Sequence, residues 1–134
     1  MKAQTTTLLA FVDDAIDAGL VADLQRAAEG AADDRAWSVA PPKFVDSTVD
    51  AIRTVGCVLE LFATRNDDGE ELPPGLDRMA LADTKALIDL LAPISARHHI
   101  DIGLELSGES VGWIMSGEPD RLIRDGLIGS WEAR

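Results

Sequence analysis

The stretch Gly108-Glu109-Ser110-Val111-Gly112 has the spacing G-x-S-x-G. In serine hydrolases that spacing bends the chain sharply between a strand and a helix, exposing the serine hydroxyl beside amides that hold the oxyanion. Ser110 meets neither requirement. Val111, Trp113 and Met115 alternate with Gly112 and Ile114, which predicts a strand after the serine rather than a helix. The histidines, His98 and His99, both precede Ser110, whereas the hydrolase order places the histidine after the nucleophile. Ser110 is therefore read as a residue of a β-hairpin, with Gly108-Glu109 as a two-residue turn. That register pairs Leu104 with Trp113 and Ile102 with Met115, and sets all of them on one face.

His98, His99, Asp101 and Glu105 form a second set that could carry acid–base chemistry or hold a metal. Their spacing matches no metal-binding helix motif, and neighbouring histidines usually point apart. His98 also suits the C-terminus of a helix, where a cation is favoured. The segment Asn66-Asp67-Asp68-Gly69-Glu70-Glu71 resembles the start of a calcium loop. Counted from Asp67, however, position 3 is Gly69 and position 12 is Arg78, and neither supplies the oxygen ligand required. The single cysteine, Cys57, makes neither an internal disulfide nor a cysteine-based zinc site. No glycine-rich phosphate-binding stretch is present. The expectation is a protein without cofactor or metal, and a binding protein rather than an enzyme.

Charge gives the clearest functional signal. The formal net charge is −12, from 12 Lys and Arg against 24 Asp and Glu. The first 75 residues carry 6 basic and 14 acidic side chains, and the remaining 59 carry 6 and 10, so neither half offers a basic patch. Nucleic acid and anionic membrane are disfavoured as partners, because contacts to phosphate need clustered Lys and Arg. A basic protein partner is favoured and would be drawn in by the field. Asp13, Asp14 and Asp17 on one expected helix, and Asp67, Asp68, Glu70 and Glu71 in the loop, are the candidate contacts. An inhibitor or immunity-type protein that neutralises a basic, toxin-like partner fits this pattern. A small enzyme or small-molecule binder using His98, His99, Asp101 and Glu105 is the alternative.

The elements that must position these groups follow from periodicity. At 134 residues, 46% of them apolar, the chain is expected to form one globular domain over 1–134. No apolar run approaches the roughly 20 residues of a membrane span, and the short N-terminal run does not make a signal peptide, so a cytoplasmic protein is expected. Leu9, Val12, Ile16, Leu20, Leu24 and Ala27 recur at helical spacing after Thr5-Thr6-Thr7, predicting a first helix to about Glu29. Ile52, Val55, Leu59 and Phe62 predict a second helix after a Ser47–Asp50 cap, with a buried strand over 57–64 as the competing assignment. Leu87, Leu90, Leu91 and Ile94 predict a third, capped by Asp83 and bent or divided at Pro93. The expected fold is α+β: a mostly helical domain with an antiparallel hairpin at about 100–107 and 110–115, and a short final helix. The expected core includes Leu9, Val12, Ile16, Leu24, Ile52, Leu59, Phe62, Leu87, Leu91, Leu104, Leu106 and Trp113. The oligomeric state is left between monomer and homodimer, with an exposed hairpin edge as the template for pairing.

Overall fold

A six-stranded antiparallel sheet with helices on one face replaces the expected helical domain. The computed structural model describes residues 4–12, 16–63 and 75–132. In chain order the elements are β1 (Thr5–Val12), α1 (Ala18–Asp34), β2 (Lys43–Val49), β3 (Ile52–Phe62), α2 (Leu76–His98), β4 (Asp101–Leu106), β5 (Glu109–Met115) and β6 (Glu118–Pro119). A π-wound segment, α3 (Leu122–Ile128), then runs into a single α-turn, α4 (Gly129–Glu132). The sheet order is β2-β3-β1-β4-β5-β6, antiparallel at every pair. From β1 to β4 this is the interleaved β-α-β arrangement of ferredoxin-like folds, extended at one edge by β5 and β6. Such a fold hosts many functions, so the function must be argued from the surface it presents.

Alternation along the strands separates two faces. Leu8, Ala10 and Val12 of β1, Val55, Cys57, Leu59 and Leu61 of β3, Ile102 and Leu104 of β4, and Ile114 of β5 are buried on one face. There they meet Leu20, Leu24 and Ala28 of α1, Leu87, Ile88, Leu91 and Ile94 of α2, and Ile123 and Leu127 of α3 in one core. Cys57 belongs to this core, and burial pushes its thiol up to about 12, which keeps it protonated and inert. α1 begins where the Asp17 carboxylate accepts from the Leu20 amide at 2.8 Å. α2 ends where His99, at φ 52°, turns the chain into the left-handed region and donates its amide to the Ser95 carbonyl. No helix among the described residues is long and apolar enough to cross a membrane.

Three of the sequence expectations are corrected here. Residues 5–12 form a central strand, not the start of a helix: Val12 points into the core while Leu9 points out of the other face. Thr5, Thr6 and Thr7 lie in that strand, where branched side chains fit the pleat. Residues 43–62 form a hairpin, not a capped helix, and its turn is Asp50-Ala51 at φ 52° and 65°. Ile52 is accordingly 70% exposed at the tip. A strand apolar on both faces supplies residues at intervals of three and four as readily as a helix does, which is why the spacing misled. The third helix is longer than expected. It starts at Leu76, buries Asp83 mid-helix and continues through Pro93 without dividing.

The C-terminal strands lie near the expected positions but in another register. Their turn is Ser107-Gly108, at φ 52° and 83°, so Leu106 pairs with Glu109. A bulge between Leu104 and Glu105 then pairs Leu104 with Gly112 and Gly103 with Trp113. Leu104 and Trp113 therefore point to opposite faces, contrary to the expected pairing. Gly112, at φ 133°, sits where a Cβ would lie 2.6 Å from Ile123 and Asp120. The segment of the expected short final helix starts instead as β6 and turns into α3 at Asp120, whose carboxylate accepts from the Ile123 amide at 3.0 Å.

Substitutions separate the sheet from a helical arrangement. Leu59→Ala is expected to cost about 2–5 kcal/mol in denaturant unfolding. Ile52→Ala is expected to stay within about 0.5 kcal/mol. A helical stripe would make the two losses similar.

Candidate functional site

The four groups of the sequence-predicted pocket do not converge. His98 lies at the end of α2 and donates Nε2–H to Asp23 of α1 at 2.7 Å. Arg97 donates to the same carboxylate oxygen at 3.0 Å, so Asp23 ties the two helices together. His99 is exposed and serves as the α2 cap. Asp101 and Glu105 alternate with the buried Ile102 and Leu104, which places them on the sheet face turned away from the helices. Among the described residues no group of three His, Cys, Asp or Glu is placed to hold a metal ion. Ser110 sits inside β5, opposite Glu105, and no helix follows it as an elbow would require. Of the acidic candidates, Asp17 is the α1 cap. Asp13, Asp14, Asp67, Asp68, Glu70 and Glu71 lie outside the described residues.

The face that carries Asp101 and Glu105 has a composition of its own. Strand register aligns Val45, Gly56, Phe11, Gly103 and Trp113 in one row across β2, β3, β1, β4 and β5. The next row is Lys43, Val58, Leu9, Glu105 and Ser110. Large apolar groups thus alternate with glycines along the first row. The Phe11 ring lies over Gly103, where a Cβ would come within 2.5 Å of it. It meets the Trp113 indole edge to face, with centroids 5.6 Å apart at 72°. Leu9, Phe11, Val45, Val58 and Trp113 are all half-buried, and none packs into the helix-side core. No described helix covers them.

Carboxylates surround this apolar strip. Glu60 accepts from the Thr7 hydroxyl at 2.9 Å on one side of it. Asp101 lies opposite Met115, which in turn lies opposite Glu118, on the other side. Glu105 stands within the second row. Lys43, at the outer end of β2, is the facing cation among the described residues. Asp101, Glu105 and Glu118 make no ion pair within the described chain.

Several acids elsewhere have structural partners. Asp83 is fully buried, accepting from Arg35 at 3.0 Å and from the Ser38 amide at 3.0 Å. Arg35 lies over the Trp37 ring at 4.8 Å, and the Trp37 indole donates to the Ala31 carbonyl. This network fastens the α1–β2 connection onto α2. Asp46 is held by two Arg53 nitrogens, Nη2 at 2.8 Å and Nε at 2.9 Å, on the exposed hairpin. Comparison with protein-family models, with curated proteins and with solved structures returns no match for this chain. The open sheet face is the candidate site on its geometry alone. Sequence reasoning missed Phe11 and Trp113 in this role. The available signal was Gly56 and Gly103, small residues placed inside apolar strands.

Two stability measurements test these assignments. Arg35→Ala leaves the Asp83 carboxylate buried without its cation and is expected to cost about 3 kcal/mol. Arg53→Ala, at an exposed pair, is expected to cost under about 1 kcal/mol. In acid, the hydrogen bond from His98, and then that from Arg97, holds the Asp23 carboxyl below its usual 3.8 against an opposing effect of partial burial. A depressed folded-state value stabilises above the unfolded value and is lost as pH falls through the folded one. Asp23→Asn should therefore lose less stability than the wild type as pH drops below about 3.8, read by denaturant unfolding across the acid range.

Proposed function

We propose that the protein is a non-enzymatic binding module whose open sheet face receives a basic protein. The observation that carries this reading is the apolar strip Val45–Phe11–Trp113, bordered by Glu60, Asp101, Glu105 and Glu118. Half-buried aromatics still have surface to bury against a partner and accept a guanidinium over the ring. The surrounding carboxylates pair with the partner's cations and repel phosphate, which favours a basic protein over nucleic acid. The whole-chain charge of −12 speeds the encounter.

A cationic, toxin-like nuclease is one partner of this chemistry, because such a face would cover the groove that holds its substrate. A cytoplasmic setting is proposed with it, consistent with a lone buried cysteine. The enzyme alternative required His98, His99, Asp101 and Glu105 to converge, and they lie on different sides of the sheet.

The test is retention from source-cell lysate on immobilised wild type, Trp113→Ser and Asp101→Lys/Glu105→Lys chains, all first shown to melt alike. A basic protein should be held by the wild type at low salt, released at moderate salt, and absent from both variants. Equal retention on all three chains, or retention of acidic proteins alone, would contradict the reading.

A further inference from the structure

Among the described residues the sheet has one open edge suited to pairing. β2 hydrogen-bonds to β3 along one side, and no described element hydrogen-bonds to its other side. The hairpin closes on Asp50-Ala51, so Val49 and Ile52 make the hydrogen-bonded pair beside the turn. Counting back, the backbone groups of Val49, Ser47 and Val45 point to β3, and those of Thr48, Asp46 and Phe44 point outward. Residues 46–53 are exposed throughout. Val49 and Ile52, at 68% and 70%, are the most exposed large apolar residues among those described. The far edge differs: β6 is only Glu118–Pro119, and its proline has no amide to donate.

We infer that β2 pairs antiparallel with β2 of a second copy of this chain, about a two-fold axis at Ser47. This rests on edge geometry and not on the proposed partner of the open face. The register follows from the side chains. Centring on Ser47 sets the outward groups of Asp46 against those of Thr48 in the second copy, twice by symmetry. It lays Val45 beside Val49 of the second copy on the open face, again twice, and covers the exposed valine. It also brings the Lys43 ammonium to the turn that carries Asp50 of the second copy. Centring on Asp46 would oppose two aspartates directly, which is unfavourable. Centring on Val45 would leave Val49 uncovered. The two open faces then lie on the same side of one continuous sheet.

The experiment is sedimentation velocity over a wide concentration range for the wild type, Thr48→Pro and Val49→Lys. Thr48→Pro removes an outward amide hydrogen and leaves the inner ladder intact. Val49→Lys sets a charge in the apolar contact. The wild type should dimerise with rising concentration, with the Asp46 and Thr48 amides gaining protection from hydrogen exchange as it does. Loss of the dimer in either variant, with unchanged far-ultraviolet circular dichroism, supports the pairing. A wild type that stays monomeric at millimolar concentration overturns it, as does a dimer that persists in both variants.

Discussion

The structure depends on β1 being hydrogen-bonded along both edges. Thr5–Phe11 pairs with β3 on one side and Leu8–Val12 with β4 on the other. Once β1 is central, the side-chain alternation of a strand leaves no freedom. Leu8, Ala10 and Val12 must point to one layer, and Leu9 and Phe11 to the other. The helices cover the first layer, because that is where the continuous row of buried aliphatics lies. Gly56 and Gly103, on either side of Phe11, make the arrangement sterically feasible. A Cβ at Gly56 would lie 1.8 Å from the Ala10 carbonyl oxygen, and one at Gly103 would strike the Phe11 ring.

The acidic excess divides by the same geometry. Asp23, Asp46 and Asp83 are consumed by internal partners and fasten one element to another. Asp101, Glu105 and Glu118 are turned to the open face and make no ion pair among the described residues. Carboxylates beside half-buried aromatic and aliphatic groups raise the desolvation cost of an apolar or anionic partner. The proposed cationic partner would repay that cost through pairing.

Some of this architecture was legible in the sequence. The Ile100–Leu106 alternation marked β4, and the 84–94 spacing marked part of α2, because one face of each is clearly more polar than the other. β1 was not legible, and β3 was legible only in part, as the competing strand over 57–64. Leu8-Leu9-Ala10-Phe11-Val12 is apolar on both sides, Val58-Leu59-Glu60-Leu61-Phe62 is so but for Glu60, and such runs satisfy the helical spacing as well as the strand spacing. The hairpin register was missed because the turn uses Ser107 in the left-handed region, a position more often given to Gly or Asn. The candidate site inherited both errors. His98 and Asp101 are near in sequence, but one ends a helix above the sheet and the other begins a strand whose odd-numbered residues face away from it.

The central claim is that helices cover one face of the sheet and that no described element covers the other. Methyl-resolved NMR with a soluble gadolinium chelate tests it directly. Methyl signals of Leu9, Val45 and Val58 should broaden strongly, while those of Leu8, Leu59 and Leu104 stay sharp. Equal protection of both sets in the monomer would mean that the strip is covered within the chain itself and would contradict the account.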